Sequence, residues 1–186
     1  MTNILHSSKS DSWMTPPEIV EKVRKVLGGI DLDPASSREA NKTVRANLFF
    51  DKGYDALRGG DWTNLPVSVF LNPPGGKIGN KSKTLLFWEK LIEQYEKGKV
   101  KHAIFLAFGI NALQICQNTE TPITDFYICI PRRRLSFVST SEQIGNPTHA
   151  NAIVYLPGLK QKIGTFYDHF HEIGAILQPV KLKRFL

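Results

Sequence analysis

The sequence predicts a single three-layer α/β domain, residues 1–186, in which helices cover both faces of a mostly parallel sheet. Strand-like apolar runs alternate with segments of helical periodicity along most of the chain. The run 103–108 is apolar throughout, which is typical of a central strand that is covered on both faces. Two strand-like segments end at prolines, Pro34 and Pro73, and ligands bind at strand ends in sheets of this class.

The first helix has the clearest local signals. Thr15 is predicted to cap it, Pro16 to occupy its first position, and Glu18 to complete a capping box. Gly28-Gly29 is expected to end it. Its predicted buried face consists of Ile19, Val20, Val23, Val26 and Leu27.

Three strands and a helix are predicted in the next part of the chain. The first strand covers 30–33, the second covers 45–50, and the clearest covers 67–71. Each lies near a proline or an acidic residue at its end. A helix is expected over 84–97, because apolar residues recur there at helical spacing.

The second half of the chain contains the remaining predicted helices and strands. The central strand 103–108 precedes a short helix at 110–117. The stretch 131–150 is rich in Arg, Ser, Gly and Pro and lacks periodicity, so we interpret it as a functional excursion. The other predicted elements are strands at 123–130, 152–156 and 175–180, a helix at 159–173, and a basic tail.

Composition narrows the class of protein. The 24 Lys and Arg exceed the 17 Asp and Glu, and the formal net charge of +7 favours a polyanionic partner. Apolar runs are too short to cross a bilayer, and the first residues do not resemble a leader. Cys116 and Cys129 have no metal-ligand spacing and are expected to be buried free thiols. We expect a cytoplasmic protein without a metal.

The tripeptide Asn72-Pro73-Pro74 follows the predicted strand 67–71 directly. Each proline holds the residue before it in an extended conformation, so this loop is stiff. The Asn72 side-chain oxygen and the Pro73 carbonyl can then accept both hydrogens of an amino group. Such contacts direct the lone pair of an aromatic amine toward an electrophilic methyl carbon. Positioning of this kind can lower the activation free energy of a bimolecular reaction by on the order of 7–11 kcal/mol.

These motifs, in this order, resemble the phage-type DNA N6-adenine methyltransferase (Dam) family. The resemblance covers about residues 11–158 and rests on Trp13-Met14-Thr15-Pro16, Leu32-Asp33-Pro34-Ala35, Trp62, the segment 69–74 and the segment 146–155. It implies a Rossmann-like methyltransferase fold, S-adenosylmethionine as methyl donor, adenine in DNA as acceptor, and a bacteriophage or prophage origin. The catalytic residues that it implies are Asn72, Pro73 and Pro74.

The resemblance also implies a cofactor site. Asp33 and Pro34 would lie where the first strand meets the cofactor, with Asp31 as a weaker candidate for its ammonium group. Trp13 and Thr15 resemble the N-terminal segment that folds over the cofactor in such enzymes. Asp51 stands 18 residues after Asp33, near the spacing of ribose-binding acids in nucleotide-binding folds, with Asp55 as the runner-up. A glycine-rich turn after Asp33 is absent.

One departure from the family pattern concerns the flipped base. Gly75 follows Asn72-Pro73-Pro74, where amino-methyltransferases usually have Tyr or Phe. Stacking on an aromatic ring contributes about 1–3 kcal/mol per base, so another ring is expected to replace it. The candidates are Phe70, Phe87, Trp88 and Phe137.

The excursion 131–150 is the predicted DNA reader. Arg132, Arg133 and Arg134 are consecutive, so they cannot all face one way in an extended chain. We expect one or two of them to contact DNA. Additional polar or basic groups of the reader are Ser136, Ser139, Thr140, Ser141, Gln143, Asn146, Lys181, Lys183 and Arg184.

Two other functions fit the same residues. A catalytically inactive DNA-binding module would retain the fold and lose cofactor affinity, in keeping with Gly75. An active enzyme with another amino acceptor would use the same loop on RNA adenine, cytosine N4 or a protein amine.

Overall fold

The structure is a computed structural model that describes residues 13–139, 150–158 and 163–179. Within these ranges the helices are α1 Pro17–Leu27, α2 Arg38–Val44, α3 Lys83–Glu96, α4 Ile110–Gln117 and α5 Gly164–Phe170. The strands are β1 Trp13–Met14, β2 Leu32–Asp33, β3 Leu48–Phe49, β4 Val67–Leu71, β5 Lys77–Ile78, β6 Lys81–Ser82, β7 Val100–Phe108, β8 Tyr127–Pro131, β9 Val138–Ser139, β10 Asn151–Leu156 and β11 Gly174–Leu177.

Seven strands form the main sheet, in the order β11-β8-β10-β7-β4-β2-β3. The prediction of a mostly parallel sheet holds for one half only. The β3, β2, β4 and β7 strands are parallel to one another, whereas β10 runs antiparallel to both β7 and β8, and β11 runs antiparallel to β8. The reason lies in the connection after β8, because a chain that leaves and re-enters a sheet at the same edge must reverse its direction.

The β7 strand separates two hydrophobic cores, as its uninterrupted apolar sequence predicts. Ala103, Phe105 and Ala107 join a core that includes Trp88 of α3, while Ile104 and Leu106 join the other core. That second core is completed by residues of α1 and α5, namely Ile19, Val20, Val23, Val26, Leu27, Phe166 and Phe170. Helices therefore pack against both faces of the sheet. Trp62 and Trp88 are buried core residues.

The predicted start of the first helix is wrong. The α1 helix begins at Pro17 with Pro16 as its N-cap residue, and no side chain caps it. The backbone carbonyl of Pro16 instead accepts the N–H groups of Ile19 and Val20. Thr15 is one residue too early to act as the cap, so its hydroxyl is available for a tertiary contact.

Several other boundaries differ from the predictions. The α2 helix was not predicted; it begins where the Ser37 hydroxyl accepts the Ala40 N–H. Arg45 ends it in the left-handed conformation, and the predicted strand 45–50 is observed only at Leu48–Phe49. Residues Ile123–Asp125 form a 3-10 turn, so the predicted strand 123–130 begins only at Tyr127. The predicted helix 159–173 is observed as α5, and its residues 159–162 lie outside the described ranges.

Both cysteines are buried and free, as predicted. Burial raises the pKa of the Cys116 thiol and of the Cys129 thiol to about 12, so neither is a nucleophile at neutral pH. No group of His, Cys, Asp and Glu within the described ranges is arranged to hold a metal ion. Among the helices described, none combines the length and the apolar character needed to cross a membrane.

Candidate active site

The parallel half of the sheet brings the predicted site residues to one edge. The β2, β3, β4 and β7 strands run in the same direction, so their carboxyl ends meet there. Asp33 ends β2, Asp51 follows β3 by two residues, Asn72 directly follows β4, and Phe108 ends β7. We call this the carboxyl edge. It is the location at which sheets of this class bind ligands.

A hydrogen bond joins the two best sequence motifs. The Asn72 Nδ2 group donates to the Thr15 hydroxyl at 3.2 Å, across 57 residues of sequence. Thr15 is buried and Asn72 is half-buried. The bond holds the amide group of Asn72 by its nitrogen, so its Oδ1 atom remains available as an acceptor. Pro73 and Pro74 stiffen the backbone immediately after it.

Asn72 lies on the α1 side of the sheet. Phe70, two residues earlier, packs in the same core as α1, and alternate residues of a strand share a face. Phe108 stands on that same side, two residues after Leu106 of the α1 core. The Phe108 ring meets the Phe137 ring edge-to-face, with 5.4 Å between centroids. Asn72 and an aromatic pair thus occupy the same side of the carboxyl edge.

Asp33 is a buried carboxylic acid at this edge, with only 3% of its surface exposed. Burial raises its pKa to about 6, and the nearby Ser36 side chain and the Ala35 N–H oppose that rise. The Ala35 N–H donates to Asp33 Oδ1 at 3.1 Å. No ion pair in the described part of the chain includes Asp33. A bound cation is the partner that would stabilise such a carboxylate.

The Asp31 carboxylate makes structural contacts with β4 and with the residue that precedes β3. Partial burial disfavours its charge, but hydrogen bonds from the Ser68 backbone and side chain and the nearby Lys101 ammonium hold its pKa below the ordinary value. Its two oxygens accept the Ser68 N–H at 2.9 Å and the Asn47 amide at 3.2 Å. Ser68 and Lys101 belong to the opposite ends of β4 and β7 from Asn72 and Phe108. These bonds tie the Asp31 carboxylate to the amino end of the sheet.

Asp51 and Tyr54 form the part of the carboxyl edge beside β2. The Phe50 N–H donates to the Asp33 carbonyl at 3.0 Å, which places Asp51 next to the turn after β2. The Tyr54 ring lies 4.0 Å from the Phe50 ring and is 52% exposed. Sequence reasoning missed Tyr54 because a single exposed aromatic in a loop has no periodicity. Asp55, the runner-up, pairs with Arg58 at 3.0 Å.

The four candidate stacking rings are all buried, so their positions in the fold separate them. Phe70 is 1% exposed within the α1 core, and Phe87 and Trp88 lie in the core on the other face. Phe137 alone of the four lies beside the carboxyl edge, packed against Phe108. Phe108 was missed because it ends a uniformly apolar strand, where the sequence does not distinguish it from a core residue.

The N-terminal segment and the excursion meet at this edge. The β1 strand pairs with β9, with Trp13 opposite Ser139 and Met14 opposite Val138. The backbone of Trp13 is thereby placed, whereas its side chain lies outside the described part of the structure. Residues 140–149 of the excursion, and the tail from 180 onward, are also outside the described ranges.

The three consecutive arginines are all exposed, and at least one of them faces away from the site. Arg132 donates from its side chain to the Glu172 carbonyl at 3.0 Å, and its N–H donates to the Ile173 carbonyl. Arg133 and Arg134 follow β8, which runs in the same direction as β7 because both are antiparallel to β10. Their backbone therefore continues from the carboxyl edge.

The Thr15 contact leads to a testable prediction. Thr15→Val keeps the shape of the side chain but removes the acceptor for Asn72 Nδ2, so we expect methyl transfer to slow about 2–10-fold, the equivalent of one hydrogen bond. Thr15→Ser should restore the rate. Single-turnover kinetics, with cofactor affinity measured separately, check this. If Thr15 acted only as a helix cap, the valine variant would lose stability but would methylate DNA at the rate of the parent.

One comparison with known proteins identifies the family of this chain. A family model described as DNA N-6-adenine-methyltransferase (Dam) matches residues 2–166 of the chain. Comparisons with curated proteins and with solved structures find no match. The matched region includes β1, α1, the carboxyl edge and Asn72. The chain belongs to the DNA N-6-adenine-methyltransferase (Dam) family.

Proposed function

We propose that this protein transfers a methyl group from S-adenosylmethionine to the N6 amine of adenine in DNA, as one Rossmann-like domain of residues 1–186. The observation that carries the proposal is the hydrogen bond between Asn72 and Thr15 at the carboxyl edge. The bond orients an amide oxygen at the same edge of the sheet as the buried Asp33 carboxylate, in a chain of the Dam family.

The residues present fit the cofactor. Asp33 would pair with its ammonium group, and the backbone amides after Pro34 would serve its carboxylate. Asp51 would bind the ribose, and the exposed ring of Tyr54 lies beside it for the adenine of the cofactor. When bound, S-adenosylmethionine supplies an electrophilic methyl group. Trp13 and Thr15 would cover the site from the N-terminal segment.

Asn72 and Pro73 would act on the acceptor. The Asn72 Oδ1 atom and the Pro73 carbonyl accept the two N–H groups of the adenine amine, which turns the nitrogen lone pair out of conjugation with the ring. A neutral amide orients the amine without first removing a proton. The site therefore relies on orientation, and the amine releases its extra proton after the carbon–nitrogen bond has formed.

DNA would lie across the carboxyl edge. The target adenine must leave the base stack, or be presented single-stranded, to reach Asn72. Arg133 and Arg134 extend from this edge, and the net charge of +7 favours phosphate contact. Phe108, packed against Phe137, would provide the aromatic ring that stacks on the target adenine. Such a ring is needed because Gly75 stands where amino-methyltransferases usually have Tyr or Phe.

Replacing Phe108 tests that assignment. Phe108→Leu should weaken the use of DNA, raising KM for DNA or lowering the rate about 5–150-fold, because base stacking contributes about 1–3 kcal/mol. Phe108→Tyr retains the ring and should remain within a few-fold of the parent. Steady-state kinetics with varied DNA separate the two. Equal activity of the leucine and tyrosine variants would exclude Phe108 as the stacking ring.

The product identifies the reaction. The protein is incubated with methyl-labelled S-adenosylmethionine and DNA of mixed sequence, with parallel incubations on RNA and on protein, and the labelled products are separated. We expect labelled N6-methyladenosine in its deoxy form. Labelled N4-methylcytosine, or label only in RNA or in protein, would replace the acceptor. DNA binding without any cofactor affinity in calorimetry would instead identify the inactive binding module that Gly75 favours.

A further inference from the structure

A small hairpin grows directly out of the catalytic loop. The β5 and β6 strands pair with Lys77 opposite Ser82 and Ile78 opposite Lys81. Their two-residue turn begins at Gly79, whose φ of 56° suits glycine, and the Lys83 N–H closes the base of the hairpin on the Gly76 carbonyl at 3.0 Å. Only Gly75 and Gly76 separate this hairpin from Pro74. We call residues 77–83 the wedge hairpin.

Residues 77–81 of the wedge hairpin are exposed, and Ser82 and Lys83 are half-buried. Ile78 is 53% exposed at the end of its strand, beside the turn. Lys81 stands opposite Ile78, Lys77 and Lys83 belong to the same hairpin, and residues 62–88 contain no Asp or Glu. Lys81 pairs with Glu89 at 3.3 Å. Within the described part of the chain, Lys77 and Lys83 make no ion pair.

An exposed apolar residue between cations is suited to nucleic acid. Lysines neutralise phosphates, whereas an apolar side chain between them gains by entering the base stack, as the wedge residues of DNA-bending proteins do. Ile78 stands six residues after Asn72, a reach of at most about 20 Å. That reach is comparable with the width of a duplex. The arginines after β8 lie three strands away from β4, about 14 Å along the edge.

From this placement we propose that Ile78 enters the DNA duplex and occupies the space that the target adenine leaves, with Lys77 and Lys83 holding the flanking phosphates. The proposal rests on the proposed function, because it assumes that adenine reaches Asn72. It adds a DNA-opening element that the excursion 131–150 does not supply. A flipped base leaves its neighbours unstacked, and a side chain in the gap offsets that cost.

The test compares Ile78→Ala with Leu65→Ala. Leu65 is the matched control, since it is 75% exposed but precedes the amino end of β4, at the opposite edge of the sheet. Methyl transfer is measured on duplex DNA and on the same DNA after heat denaturation. We expect the loss in Ile78→Ala to be at least tenfold greater on the duplex than on denatured DNA, and Leu65→Ala to show no such difference.

A second readout does not depend on methyl transfer. Permanganate oxidises thymines that are no longer stacked, so it detects the orphaned partner of a flipped adenine in duplex DNA bound by the protein with S-adenosylhomocysteine. The parent should produce this reactivity and Ile78→Ala should lose it. An equal loss on both DNA forms, or unchanged reactivity in Ile78→Ala, overturns the wedge. If the parent produces permanganate-reactive thymines, Ile78→Ala loses them, and no DNA is methylated, then the proposed function is wrong and the role of Ile78 is retained.

Discussion

Replacing Asn72 with alanine is expected to lower methyl transfer to DNA about 10²–10³-fold, the cost typical of removing one preorganised polar group that acts on the reacting centre. The variant loses the acceptor for the amine and keeps the remainder of the carboxyl edge. Asn72 is half-buried and has one side-chain hydrogen bond, to Thr15, so unfolding stability should fall by only about 1 kcal/mol.

Single-turnover assays at saturating cofactor, with affinity measured by calorimetry, check the Asn72 prediction. Asn72→Asp is the matched variant, since its carboxylate retains an oxygen acceptor at the position of Asn72 Oδ1. It should keep measurably more activity than Asn72→Ala, and both should bind S-adenosylmethionine like the parent. If Asn72→Ala methylates DNA as well as the parent, the role assigned to Asn72 is wrong.

Replacing Asp33 with asparagine is expected to abolish cofactor binding and, at the same time, to stabilise the empty protein. The lost binding follows from the lost charge, because a neutral amide cannot pair with an ammonium group. The pH dependence of cofactor binding by the parent protein should report the titration of Asp33. Below pH 6, cofactor affinity should fall about tenfold per pH unit as the Asp33 carboxylate becomes protonated.

The gain in stability follows from burial. Folding raises the pKa of Asp33 from an ordinary 3.8 to about 6, so holding it ionised at pH 7 costs about 3 kcal/mol. Below pH 3.8 both the folded and the unfolded chain are protonated there, and the cost is absent. It increases as the pH rises toward 6 and is complete above that value. Asp33→Asn can still accept the Ala35 N–H, so its melting temperature should exceed that of the parent at pH 7 and match it near pH 3.5.

Asp31→Asn is the control for Asp33→Asn. The two residues are two positions apart, and their substitutions should change stability at pH 7 in opposite directions. The pKa of Asp31 is held low by hydrogen bonds and by Lys101, so losing its charge should destabilise the protein at pH 7. Cofactor affinity should remain near that of the parent. Thermal melts at two pH values and calorimetry cover both variants. A loss of cofactor affinity in Asp31→Asn but not in Asp33→Asn would show that Asp31, and not Asp33, pairs with the ammonium group of the cofactor.

Much of the fold was predictable because its elements have strong local patterns. The α3, α4 and β7 elements were predicted within three residues, since each has clear periodicity or an uninterrupted apolar run. The direction of β10 was not predictable, because antiparallel entry depends on the path of the excursion after β8. The short β1–β9 pairing depends on residues more than 120 positions apart.

The candidate site was predictable in its residue types and less so in their roles. Asn72 and Asp33 were identified by their positions at strand ends. Thr15 matched a local capping pattern, but a tertiary contact with Asn72 uses its hydroxyl instead. The sequence ranks Asp31 below Asp33 only through the family resemblance, and the structure separates them by burial and by the hydrogen bonds that Asp31 makes with Ser68 and Asn47.

A crystal structure with S-adenosylhomocysteine tests the central claim most directly. We expect the amino group of the ligand against the Asp33 carboxylate, and its sulfur facing Asn72 Oδ1 across a gap that one amine and one methyl group fill. Reacting atoms in such sites stand about 3–3.5 Å apart. Binding of the ligand elsewhere, or an Asn72 amide turned away from it with Oδ1 against protein, would contradict the mechanism.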